Sequence, residues 1–148
     1  RSVESVLTSE VSAARLSATD ADGDGILFAA SALPCVGGAA TECSDNCPYA
    51  PNTDQLDLGG VGAGSVSDGV GDACQCGDVS GDGRVTMADT LMIRRALLMP
   101  PTATLTQPDL CDVGGAPGCS LSDAVIIQRA LLAPPAASIQ PVCVPAQP

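Results

Sequence analysis

Apolar residues in this chain come in short bursts, and two of those bursts repeat. Met87-Ala88-Asp89 returns as Leu121-Ser122-Asp123, Arg95-Ala96-Leu97-Leu98 as Arg129-Ala130-Leu131-Leu132, and Pro100-Pro101 as Pro134-Pro135, a period of 34 residues. Each unit reads as a loop followed by a short helix. Leu91, Ile93 and Leu97 or Leu98 supply the apolar surface of the first helix; Val125, Ile127 and Leu131 supply that of the second. Each helix is expected to stop before its Pro-Pro pair, because proline cannot continue a helix and disfavours helix in the residue before it. In residues 1–19, Val3, Val6, Leu7 and Ala14 fit a helical stripe, while the Ser, Thr and Val content suits a strand; helix is the preferred reading. The tail, residues 134–148, is rich in proline and suits polyproline II or an edge strand.

The polar positions are as regular as the apolar ones. Acidic residues fall at alternating positions inside Gly-rich loops. The clearest case runs from Asp78 to Asp89. Asp78, Ser80 and Asp82 take positions 1, 3 and 5, Gly83 takes position 6, where the turn is sharp, and Arg84 offers its backbone carbonyl at position 7. Thr86 stands at position 9, directly or through a water, and Asp89 closes the loop at position 12 on the first turn of a helix. Alternating side chains in a tight turn point inward together, so hard oxygens converge on a hard cation. That is a calcium-loop arrangement, with Asp for the usual Glu at the end. The competing reading is a polar turn without metal.

A second such loop opens at Asp20, Asp22 and Asp24, with the Ile26 carbonyl following. Its position 12 is Ser31, a poor closing ligand, so a more distant residue is expected to complete it, and Asp45 is the candidate. The alternative is a solvated acidic turn.

Composition sharpens this picture. The chain has 148 residues, enough for one or two small domains, with one Phe, one Tyr, no Trp, 16 Gly and 12 Pro. A large aromatic core is excluded, and a chain so punctuated needs staples. Eight Cys and the clustered Asp supply two kinds. An even Cys count suggests disulfides and an oxidising compartment; the spacings are unlike zinc sites, and there is no His. The net charge of −11 argues against a nucleic-acid partner. No apolar run reaches membrane-spanning length. No signal peptide stands at Arg1, so the chain reads as a processed, secreted form at a cell surface or outside the cell. The expected fold is small and mostly irregular, with a few short α-helices and little or no β-sheet.

Residues 35–76 resemble a bacterial thrombospondin type 3 repeat, through Asp45-Asn46-Cys47-Pro48, then Asn52, Gln55 and Asp57, and finally Asp68-Gly69-Val70-Gly71-Asp72-Ala73-Cys74. The resemblance implies calcium ligands at Asn52, Asp54, Asp57, Asp68 and Asp72, and a Cys47–Cys74 bridge. The run Leu58–Ser67, rich in glycine, stands where that family alternates Asp. It is read as a flexible loop or, second, as a segment packing closely on another backbone.

Residues 77–133 resemble a dockerin, two loop–helix segments related by near two-fold symmetry. The resemblance implies a calcium-binding module that docks on a cohesin-like partner. The second loop departs from the pattern: Gly114 and Ala116 stand at positions 3 and 5 and offer no side-chain oxygen, and Cys111 and Cys119 flank the loop core. A Cys111–Cys119 disulfide is inferred to replace calcium there, the alternative being a weak ion between Asp112 and Asp123. Of the remaining cysteines, Cys35 is paired with Cys43 and Cys76 with Cys143, among the 105 connectivities that eight cysteines allow.

The chain divides on this reading into an N-terminal arm (1–19), a thrombospondin-like calcium region (20–76), a dockerin-like pair (77–133) and a Pro-rich tail (134–148). No catalytic arrangement is found: there is no His, and no G-x-S-x-G elbow. Arg94 and Arg95 are either part of a binding face or solvated cations near a helix C-terminus. The leading functional expectation is an extracellular structural protein that assembles with itself into a filament through its two arms, stapled by Ca2+ and disulfides. The alternative is a dockerin-type module that attaches to a cohesin-like protein.

Overall fold

The computed structural model describes residues 19–38, 42–114, 117–133 and 135–143. Most of the N-terminal arm, with its expected helix, lies outside them, as do Pro134 and residues 144–148 of the tail. Among the described residues there are two α-helices, α1 (Met87–Ala96) and α2 (Leu121–Ala130), and one 3-10 turn (Pro108–Leu110) between them. No strand forms among them; the extended segments meet only in isolated bridges, Thr19 with Phe28, Pro34 with Ser44, Val61 with Val85 and Gln75 with Val142.

The 34-residue repeat is a structural repeat. Thr86 caps α1, its hydroxyl accepting from Ala88 N at 3.2 Å while Asp89 Oδ2 accepts from Thr86 N at 2.7 Å. Ser120 and Asp123 do the same for α2, at 3.2 and 2.9 Å. Such reciprocal caps satisfy helix N–H groups that have no partner within the helix. Both helices end alike: Thr102 N donates to Arg95 O and Ala136 N to Arg129 O, each at 3.0 Å.

The two helices pack on one another over a core of Cys76, Val79, Val85, Ile93, Leu110, Cys111, Val113, Ala124, Ile127 and Cys143. Sulfur and mid-sized aliphatic groups fill it; both aromatic residues, Phe28 and Tyr49, are exposed. The disulfides are Cys35–Cys43, Cys47–Cys74, Cys76–Cys143 and Cys111–Cys119. The tail is clipped to the junction of the two halves, where Cys143 N donates to Cys74 O at 3.0 Å and Cys76 N to Pro141 O at 3.2 Å.

The helix faces differ from expectation. Ile93 and Ile127 are buried, but Leu91, Leu97, Leu98 and Val125 are exposed. The inward positions beside each Ile belong to Asp89 and Thr90 in α1 and to Asp123 and Ala124 in α2. The carboxylates must face inward to hold the loops, which turns the larger aliphatic groups outward. The Gly-rich run also differs from a flexible loop: Gly59 and Gly60 are buried, and the backbone of Gly60 and Gly62 bonds to Val85.

Candidate metal centres

The loop from Asp78 to Asp89 is drawn around two fully buried carboxylates. Asp78 Oδ1 accepts from the Ser80 hydroxyl at 3.1 Å and from Gly81 N and Asp82 N at 2.8 and 3.2 Å; its Oδ2 accepts from Gly83 N at 2.7 Å. Asp89 reaches back from α1 to accept from Ser80 N at 3.0 Å. Asp82 accepts from Arg84 N at 3.0 Å and is exposed. Gly83 has φ +82°, a backbone region that only glycine enters without strain. The Asp78 carboxyl is raised above its ordinary 3.8, first by burial and then by the charge of Asp89. The Thr86 hydroxyl both caps α1 and donates to Asp89 Oδ2 at 3.1 Å.

The loop at Asp20 repeats this geometry. Asp20 accepts from Gly23 N at 2.8 Å and Gly25 N at 3.2 Å, as Asp78 does from Gly81 and Gly83, and Asp24 accepts from Ile26 N at 2.8 Å, as Asp82 does from Arg84. Carboxylate oxygens of Asp20, Asp22 and Asp24 lie within 4.8 Å of one another. Asp45, across the intervening segment, is near enough for its charge to help raise the Asp22 carboxyl. Asp45 is buried; one of its oxygens accepts from Cys47 N at 2.9 Å, and Oδ2 has no partner. Asp22 Oδ2 is likewise buried and without a partner. The Asp22 carboxyl is raised, first by burial, then by Asp24, Asp45 and Asp20.

A third group gathers Asp57, Asp68 and Asp72. Asp57 is buried and accepts from Asp68 N and Gly69 N at 3.3 and 2.8 Å; Asp72 accepts from Leu58 N at 2.9 Å. Burial raises both Asp68 and Asp72, with Asp57 adding to each. Asp54 is exposed and accepts from Leu56 N, and its charge helps to raise the Asp72 carboxyl. The Asn52 side chain belongs to a buried amide network, donating to Asn46 Oδ1 at 2.7 Å and accepting from Gln55 Nε2 at 2.8 Å, and its backbone N–H donates to Asp24 Oδ2 at 3.0 Å. The Asn46 and Gln55 contributions to that network have no signature in local spacing.

The second repeat's loop is closed by the chain itself. Asp123 Oδ1 accepts from Val113 N at 3.1 Å, its Oδ2 accepts from Ser120 N and Oγ, and Asp112 accepts from Gly118 N at 2.8 Å.

Residues 76–141 match the family model of the Dockerin type I domain. No curated protein and no solved structure matches the chain. The match covers the loop–helix pair, and dockerin domains hold calcium and bind cohesin partners. The chemistry of the loop from Asp78 to Asp89, inside the matched residues, fits that ion. Two buried carboxylates there face backbone N–H and hydroxyl donors, an arrangement in which a divalent cation relieves both burial and mutual repulsion. Asp78, Ser80, Asp82, the Arg84 carbonyl and Asp89 are the groups that would hold it. No helix among the described residues is long and apolar enough to cross a membrane.

Proposed function

We propose that this chain is a non-catalytic, calcium-dependent binding module of the extracellular space, and that its dockerin part docks on a cohesin-like protein. The observation that supports the reading is the outer face of the helix pair. Met87, Leu91 and Leu98 are exposed along α1 and just beyond it, and Leu121, Val125 and Leu132 take the equivalent places 34 residues later. Exposed apolar residues that recur at the same places of both repeats offer a surface to a partner. Arg94, whose guanidinium donates to Gln128 Oε1 at 2.6 Å, and the exposed Arg95 and Arg129 border it. A partner surface with apolar patches and carboxylates complements that face.

Calcium is proposed at the Asp78–Asp89 loop and at the Asp20, Asp22, Asp24 and Asp45 cluster, where the two orphaned buried oxygens support it. The Asp57, Asp68 and Asp72 group is a weaker candidate, because it has neither the closed loop of residues 78–89 nor the orphaned buried oxygens found at Asp22 and Asp45. The filament reading rested on arms whose residues lie mostly outside those described, and the dockerin match favours the binding module in its place. Titration calorimetry of the chain against a panel of cohesin domains, in calcium and in chelator, tests the proposal. Calcium-dependent binding that Leu91→Glu with Val125→Glu abolishes is the expected result. Calcium-dependent binding that the double substitution leaves intact would move the interface elsewhere, and no binding to any cohesin would sink the reading.

A further inference from the structure

We infer that the glycine-rich segment 58–65 is a brace for the first dockerin loop, and that calcium in the loop and docking of the brace strengthen each other. The inference rests on the calcium reading of Asp78–Asp89. It concerns a segment outside the dockerin match, which begins at residue 76.

The contact is built at backbone distance. Val85 N donates to Gly60 O at 3.0 Å, and Gly62 N donates to Val85 O at 2.8 Å. Arg84, between the turn glycine and Val85, reaches out of the loop, its Nη2 donating to Leu58 O at 2.8 Å and its Nε to Ser65 O at 3.3 Å. Ser65 closes the brace on itself: its hydroxyl accepts from Gly60 N at 3.0 Å and donates to Gly62 O at 2.6 Å. At Gly59 in the segment and Gly83 in the loop there is no room for a side chain. A Cβ on Gly59 would lie 2.8 Å from Ser65 Oγ and 2.9 Å from Arg84 Nε, and one on Gly83 would lie 2.8 Å from both Leu58 Cβ and Asp72 Oδ2.

The brace therefore grips residues 83–85 of the loop from outside, while Asp78 and Asp89 grip it from inside. Without an ion, the two buried carboxylates repel and the loop tends to open. A brace that holds residues 83–85 in place keeps the ligand cage assembled, which raises calcium affinity. Linkage makes the effect reciprocal: the ion must stabilise the docked brace by the same factor.

The test uses the full chain and amide NMR. The Gly83 amide, bonded to Asp78 Oδ2, reports calcium in the loop, and hydrogen exchange at the Gly62 amide reports the brace. Ser65→Ala changes no charge and no proposed ligand. It is expected to raise the calcium midpoint at Gly83 by about fivefold or more, and Gly62 is expected to exchange faster in chelator than in calcium. Arg84→Ala gives a test of sign. Removing a cation beside the loop should tighten calcium on Coulombic grounds alone, whereas loss of the brace weakens it. An unchanged midpoint in Ser65→Ala, or a tighter one in Arg84→Ala, overturns the inference. A Gly83 amide that never responds to calcium overturns the calcium reading itself, and the coupling with it.

Discussion

Asp78→Asn separates the role of this carboxylate in the chain from its role toward calcium. Asp78 accepts four hydrogen bonds, one from a hydroxyl and three from backbone N–H groups. An asparagine has one acceptor oxygen, so its NH2 group must face donors on one side. Losing a charge-assisted bond costs about 1.5–3 kcal/mol. Against this, the substitution removes a buried charge and its repulsion with Asp89, the two effects that raise the Asp78 carboxyl. The two contributions oppose, and the apo stability is expected to change by no more than about 1 kcal/mol. With calcium the balance is different. A hundredfold excess over the dissociation constant stabilises the native loop by about 2.7 kcal/mol. For a chain of 148 residues each kcal/mol moves the melting temperature by roughly 2–4 °C. Asp78→Asn should therefore remove about 5–11 °C of the calcium-induced rise. Melting curves by circular dichroism, in chelator and in excess calcium, measure it. The cluster at Asp20 is untouched, so any rise it contributes remains. An equal rise in both proteins would refute the assignment of an ion to this loop.

Three further outcomes follow from the structure. The carboxyls of Asp78 and Asp22 are raised above 3.8 in the folded chain, so the native state binds more protons than the unfolded one. Calcium-free stability should then fall as pH rises from 3.8 through the raised native values, and saturating calcium should invert that trend, because the ion needs the ionised form; melting at about pH 4.5 and about pH 7, with and without calcium, checks both signs. Ile93→Ala empties a fully buried position in the core shared by both repeats and should cost about 2–5 kcal/mol in urea unfolding. Asp123→Ala removes one half of the reciprocal cap of α2 and leaves Val113 N and Ser120 N without their acceptor; it should cost about 1–2 kcal/mol, while the calcium response at the Gly83 amide stays as in the wild type.

Much of this architecture was legible because its determinants are local. The period of 34 residues specified two loop–helix units, and the Pro-Pro pairs marked where each helix gives out. Asp, Gly and Asp at fixed offsets make the same turn at residues 20–26 and 78–84, since the bonds that shape it span no more than five residues. With one Phe, one Tyr and no Trp, a large aromatic core was excluded, and the core is filled by cysteine sulfur and aliphatic groups.

Tertiary structure decided which face of each helix turned inward. Apolar spacing put Leu91 and Val125 on the same apolar surfaces as Ile93 and Ile127, but Asp89 and Asp123 must reach the backbone of their loops, and a helix has one inward side. It decided that Asn46, Asn52 and Gln55 would satisfy one another in a buried network. It also decided that a glycine run with the composition of a flexible loop would lie against Val85 and Arg84. The sequence by itself determined the turns, the repeat and the chemistry of the loops, because those depend on neighbours along the chain. Which surfaces meet depends on shape and free hydrogen-bonding groups at both partners, and that complementarity exists only once the chain has folded.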